Sequence, residues 1–218
     1  MGPVVLINPN TNTATTTMMT DIAARRLRDH GIDVVGRTVA AGPPIITEPV
    51  ALAGAADEVL RAATRAMTQI PDASAFIISA FADPGIDAVT AAASVPVIGI
   101  AGAAFRAASI SNRRFGIVSP APALSPAVVE LVDRYGCSTT FTGIRSVDIS
   151  PDVISGDPDA LVEAMISLAH DCVIMDGAEA VIIGGGPLGA AAEIIRTRLD
   201  ITVIAPIIAA CDEIARLL

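Results

Sequence analysis

The sequence predicts an α/β protein of two pseudo-symmetric halves, each a parallel sheet flanked by helices, with its ligand site in the cleft between them. Three observations predict it. Apolar, β-rich runs alternate with helical patterns from end to end, as parallel strands joined by helical crossovers require. Landmarks of the first half recur in the second at a nearly constant distance: Gly31 and Gly136 are 105 residues apart, Ile78 and Ile183 also 105, Val97 and Val203 106. Apolar residues are 52% of the 218 and aromatics only 3%. The apolar mass is therefore Ala, Ile and Val, which suits buried parallel strands under Ala-rich helices.

In order, residues 3–7 read as a strand, followed by a helix from about 15 to 30 that Gly31 stops. Residues 33–39 form the second strand, and a helix around 58–67 follows. Residues 75–79 are the third strand. Asp83 then reads as an N-cap with Pro84 at the first helical position, and 95–100 is the fourth strand. The second half repeats this with a strand at 115–119, a helix ending at Gly136 and a strand near 139–147. A helix over 158–175 leads into a strand at 180–183. A further helix and a strand at 201–204 precede a terminal helix. Leu6 and Ile117 are 111 apart, so the first loop is about six residues longer in the N-terminal half. The lobes are expected at 1–109 and 110–218, the terminal helix being free to pack on the first.

The net charge of −9, with no Lys/Arg cluster, argues against a nucleic-acid partner. The densest basic group, Arg25, Arg26 and Arg28, falls on a solvated helix face. Apolar stretches are broken by Pro, Gly or Asp well short of a membrane span, and no basic segment precedes an apolar one at the N-terminus. A cytoplasmic protein without a membrane partner is expected, and a homo-oligomer is compatible with the sequence. Cys137, Cys172 and Cys211 are three, unevenly spaced and without a C-x-x-C pair, which gives neither a disulfide framework nor a zinc site. His30 and His170 are too few for a His-based metal centre.

Open parallel sheets bind ligands beyond the carboxyl ends of their strands, here residues 8–13, 79–85, 119–123 and 184–189. Asn10 and Thr11 can cap the first helix and offer amide and hydroxyl groups to an anion at its positive end. Gly184 to Gly189 formally matches G-x-G-x-x-G, but Pro187 would remove an N–H from the helix start, and Asp200 is only 11 residues past Gly189. A Gly-rich loop that brings backbone N–H groups to a small carboxylate or imide is the better use, so no NAD or other cofactor is expected. Ser79 is the hydroxyl at its strand end, without a neighbouring His to activate it. Asp83 is a candidate general base beside its capping role. Cys172 and Cys211 lie on helically spaced apolar stripes and read as core, and Cys137 as the far edge of the second sheet.

Several stretches together resemble the aspartate/glutamate/hydantoin racemase superfamily, nearest its hydantoin and allantoin racemase branch. They are VVLINPNTN at 4–12, ISAFADPGI at 78–86, VPVIGI at 95–100 with Ala103-Ala104, Arg114-Phe115 with Ile117-Val118, and Ala180 to Gly186. The resemblance implies a two-lobed fold and a pair of cysteines facing each other across the cleft, each able to act as thiolate or acid in 1,1-proton transfer. Ala80 and Gly185 stand at those positions. Ser119-Pro120 replaces an expected Thr pair, Gly102 an expected Glu, and Pro187-Leu188 an expected Gly-Met, which a single engineered knockout would not produce.

The implied function is racemase-type isomerase chemistry on a small carboxylate or cyclic imide or ureide without the usual cysteine pair. Ser79, Asp83 or a water would handle the proton, with ligand contacts from Asn10, Thr11, Ala80, Phe81, Ser119, Pro120, Gly185, Gly186 and Pro187. The alternatives are a non-catalytic small-molecule binding protein and a decarboxylase-like lyase on the same scaffold. A nucleotide-binding protein, resting on the Gly-rich loop, is a further rival.

Overall fold

A computed structural model describes residues 2–148 and 157–218. Strands β1 (Val4–Asn8), β2 (Val34–Thr38), β3 (Ala75–Ile78) and β4 (Val97–Gly99) form a parallel sheet in the order β2-β1-β3-β4. Strands β5 (Phe115–Ser119), β6 (Phe141–Ser146), β7 (Ala180–Ile183) and β8 (Thr202–Ile204) form a second in the order β6-β5-β7-β8. The pairing repeats as well as the order. Leu6 lies beside Ile77 and Ile77 beside Ile98, while Ile117 lies beside Ile182 and Ile182 beside Ile204.

The helices are α1 (Thr13–Leu27), α2 (Pro49–Gln69), α3 (Ile86–Ala92), α4 (Ile100–Ala108), α5 (Ser125–Arg134), α6 (Pro158–Ile174), α7 (Gly189–Arg198) and α8 (Pro206–Leu217). Asn12 caps α1 by accepting from the Thr15 N–H, which removes one of the unpaired donors at a helix start. The matched Gly31 and Gly136 both take the left-handed conformation, at φ 68° and 70°, that lets the chain leave a helix without a Cβ penalty.

The inner strands β1, β3, β5 and β7 are buried on both faces and are almost wholly apolar rather than alternating, while the edge strands β2 and β6 are half-buried. Val4, Leu6, Ala75 and Ile77 face α1 and α8, while Val5, Ile7, Phe76 and Ile78 face α2 and α3. In the second sheet Phe115, Ile117, Ala180 and Ile182 face α4 and α5, and Val118, Val181 and Ile183 face α6 and α7. The closing helix of each sheet is thus exchanged. Phe105 and Ala108 of α4 pack on the second sheet, and Ile207, Cys211 and Ile214 of α8 pack on the first. This exchange sets the two sheets against each other and aligns their carboxyl ends on a common cleft.

The structure corrects several local readings. Helix α2 begins at Pro49 rather than near 58, because Glu48-Pro49 supplies a start with Pro in the first turn. Residue 100 leaves the fourth strand and opens α4, a helix the sequence reading missed, since an Ala-rich run directly after a strand reads as its continuation. Helix α3 starts at Ile86 behind Gly85, so Asp83 is not its N-cap. Cys137 lies just before the edge strand β6 and is buried with Phe105 and Val132. Arg25 and Arg26 are exposed but pair with Glu193 of α7 and Asp212 of α8; such exposed pairs contribute little to stability. No helix among the described residues is long and apolar enough to cross a membrane.

Candidate functional site

The four strand ends surround one recess of about 680 Å³ counted with the open solvent at its mouth, within which about 60 Å³ is open to the centre of a water-sized sphere. Ala80 after β3 and Gly185 after β7 both line it, as do Asn10, Phe81, Ser119, Pro120 and Pro187. Gly186 opens a short 3-10 turn, Gly186–Leu188, before α7.

Asn10 is 5% exposed, and its orientation is fixed. Its Oδ1 accepts from Asn8 Nδ2 and from the Asn12 N–H, both at 2.9 Å. Its NH2 group makes no hydrogen bond within the described residues, which leaves two donors beside the cavity. The backbone N–H groups of Ala80 and Phe81 are likewise unpaired there, since the neighbouring Ser79 N–H goes to Ile7 and the Ala82 and Asp83 N–H groups to Ala80. Ser119 Oγ accepts from the Ala121 N–H at 3.2 Å, which leaves its own proton available to donate.

The two residues considered for proton transfer are committed elsewhere. Ser79 lines the cavity, but its hydroxyl donates to Met19 Sδ at 3.0 Å and the residue is 1% exposed, because its place just after β3 turns it toward α1. Asp83 does not line the cavity. Its carboxylate accepts from the Ala101 and Gly102 N–H groups at 2.9 Å and from the Tyr135 hydroxyl at 3.0 Å. It caps α4, a helix that begins 17 residues later, and its φ of 49° is one that Asp tolerates better than most residues. Thr11 does not line the cavity either. Its N–H donates to Pro43 O at 3.1 Å and its hydroxyl to Gly42 O at 3.3 Å, tying down the loop between β2 and α2.

That loop supplies what the sequence reading did not foresee. Ile45, Ile46 and Thr47, with Leu52 of α2, form one wall, and Leu124, Val128 and Leu188 contribute apolar surface from the second half. The signal available was Ile45-Ile46 between Pro44 and Thr47, two large apolar residues in a stretch too Pro-rich for a strand. Burial pushes the Cys172 and Cys211 thiols up to about 12, as expected of inert core cysteines. Among the described residues no three His, Cys, Asp or Glu side chains gather as metal ligands.

The family model described as Asp/Glu/Hydantoin racemase matches residues 4–214. The chain belongs to that family. It is 30% identical to a hydantoin racemase from Paenarthrobacter aurescens over 208 residues, which cover 95% of this chain and 87% of that one. Among solved structures it matches an allantoin racemase from Klebsiella pneumoniae with a TM-score of 0.92 at 27% identity, over 100% of this chain and 87% of that one. An allantoin racemase from Pseudomonas fluorescens shares the fold with a TM-score of 0.91 at 22% identity, covering 99% and 90%. In this racemase-family protein the cleft between the two sheets carries a methyl group at Ala80 and no side chain at Gly185. Gly184 is constrained too: a Cβ there would lie 2.9 Å from the Phe81 ring and 3.1 Å from Val118 O.

Proposed function

We propose that this racemase-family protein binds a small cyclic imide or ureide, or a small carboxylate, that carries an apolar substituent. The observation that carries the reading is the lining of the cavity. Among the described residues, the donors of Asn10, Ala80 and Phe81 have no hydrogen-bond partner, and Ile45, Ile46, Leu52, Leu124 and Val128 supply apolar surface. Donors without acceptors suit carbonyl or carboxylate oxygens, and apolar surface suits a hydrocarbon substituent.

The resemblance implies thiols at positions 80 and 185, where this chain has Ala and Gly. Proton transfer by two thiols is therefore not available to it, and neither Ser79 nor Asp83 stands in for them. Binding is the function the geometry supports best. Racemase-type isomerisation is the second reading, favoured by the family and by the same donors, which would stabilise an enolate oxygen if a water took the α-proton. A lyase would lack the same thiol.

Titration calorimetry with 5-benzylhydantoin and with allantoin tests the binding claim. Burying a benzyl group against the wall is worth roughly 2–3 kcal/mol, so the benzyl compound is expected to bind at least about tenfold more tightly than allantoin, whose substituent is polar. Replacing Asn10 with Ala should weaken both. Equal or tighter binding of allantoin would contradict the assignment.

A further inference from the structure

The turn that presents Ala80 and Phe81 is held from behind by a contact between the two halves. Ala82 and Asp83 both donate their N–H groups to Ala80 O at 3.0 Å, and Asp83 then directs its carboxylate away from the cavity. At 2% exposure it meets the first turn of α4 and the hydroxyl of Tyr135, which follows α5. Helix α5 and the residue before it supply Val128 and Leu124 to the cavity wall. Phe81, Phe105 and Tyr135 continue the contact as edge-to-face rings, with centroids 5.7 and 6.0 Å apart. Two glycines permit it. A Cβ on Gly99 would lie 2.1 Å from Asp83 Cγ, and one on Gly102 would lie 2.4 Å from the Tyr135 ring. Gly102 is where the resemblance implies Glu, so that departure and the seating of Tyr135 belong together.

We propose that Asp83 and Tyr135 are positioning residues whose hydrogen bond joins the 80–83 turn of one half to α5 of the other and so fixes the spacing between the walls of the cleft. Neither touches the ligand. The inference rests on the cavity being the ligand site, as argued above.

Its chemistry makes it sensitive to acid. A carboxylate can accept from all three donors, whereas a protonated carboxyl carries a hydrogen on one oxygen and must release a donor. Burial pushes the Asp83 carboxyl up to about 6 against the pull of its three donors, and burial beside Asp83 raises the Tyr135 phenol well above its ordinary value. The other charged groups around the pair are Arg106 of α4 and Arg134 of α5, which lie over the Tyr135 ring. They are already paired with Glu213 of α8 and Asp87 of α3. The contact is complete above the Asp83 pKa and loosens as the pH falls through it.

Tyr135 is the one tyrosine of a chain without tryptophan, so tyrosine fluorescence reports on the contact directly. Its emission is expected to titrate with a midpoint near 6, and this titration should vanish in Asp83→Asn. Tyr135→Phe keeps the ring and removes only the hydroxyl. Amide exchange at Ala82 and Asp83, in the other half, should then quicken about tenfold, as the loss of one hydrogen bond to a charged group permits. The same variant should weaken 5-benzylhydantoin binding about tenfold at neutral pH, and wild-type affinity should fall as the pH drops below the fluorescence midpoint. Flat fluorescence across the carboxylate and histidine range would overturn the proposal, as would unchanged exchange in Tyr135→Phe. Faster exchange with unchanged affinity would also overturn it, since the contact would then be structural alone. If the wild type binds no hydantoin at any pH, the ligand assignment fails and the proposal fails with it. The fluorescence and exchange results would still report whether the contact itself exists.

Discussion

Gly102→Ala should destabilise the protein by about 1–3 kcal/mol, the usual effect of forcing extra volume into a packed site. Helix propensity alone predicts the opposite sign, because Gly→Ala gains about 1 kcal/mol in a helix interior and somewhat less in the first turn, where Gly102 lies. The packing term wins here because the new Cβ would lie 2.4–2.7 Å from three atoms of Tyr135, and the ring is confined by Phe105 and Arg106. For a chain of this size the melting temperature should drop by about 2–10 °C. A double-mutant cycle assigns the cause. In a Tyr135→Ala background, Gly102→Ala should be neutral or stabilising. A raised melting temperature in the single variant would mean that Tyr135 does not occupy the space over Gly102.

Placing thiols back into the cleft should produce activity. Ala80 and Gly185 line the same cavity from opposite halves, so Ala80→Cys with Gly185→Cys would set two thiols on either side of a bound ligand. The first substitution adds one sulfur at a half-buried position and should be tolerated. The second is harder. Gly185 has φ 147°, and its Cβ would come within 3.0 Å of the Leu188 side chain, so a cost of about 1–3 kcal/mol is expected. The double variant should nonetheless fold and should exchange the α-proton of 5-benzylhydantoin about 10²-fold or more faster than the wild type, the low end of what positioned acid–base groups supply. Each single variant should gain less, having only one of the two partners. A folded double variant that gains no exchange would show that the cleft no longer holds a ligand between positions 80 and 185.

The architecture was legible because its determinants are local and repeated. Strand-length apolar runs, helix stops at Gly31 and Gly136, and the 105-residue offset of Ile78 and Ile183 each reflect backbone requirements that a sequence displays. The cavity position followed from the same logic, and Asn10, Ala80, Phe81, Ser119 and Gly185 do line it. What the sequence hid was direction. Ser79 lines the cavity and Asp83 lies three residues beyond Ala80, but one hydroxyl turns back to Met19 and one carboxylate turns forward to α4. Both partners are distant in the chain, Met19 by 60 residues and Tyr135 by 52, and no local pattern reports such pairings. Thr11 shows the same thing, since its hydrogen bonds go to a loop 31 residues away. That loop carries Ile45 and Ile46 to the cavity, and its role depends on where the loop is tied rather than on its composition.

The most direct test of this account is solvent deuterium exchange at the C5 position of 5-benzylhydantoin, followed by proton NMR with the wild-type protein at concentrations where calorimetry shows the ligand bound. With Ala at position 80, Gly at 185, and the Ser79 and Asp83 side chains engaged elsewhere, the account predicts binding with exchange no faster than the protein-free background. Exchange of the bound ligand at an enzymatic rate, roughly 1–10³ s⁻¹, would contradict it and would establish a proton carrier other than the residues assigned to this cleft.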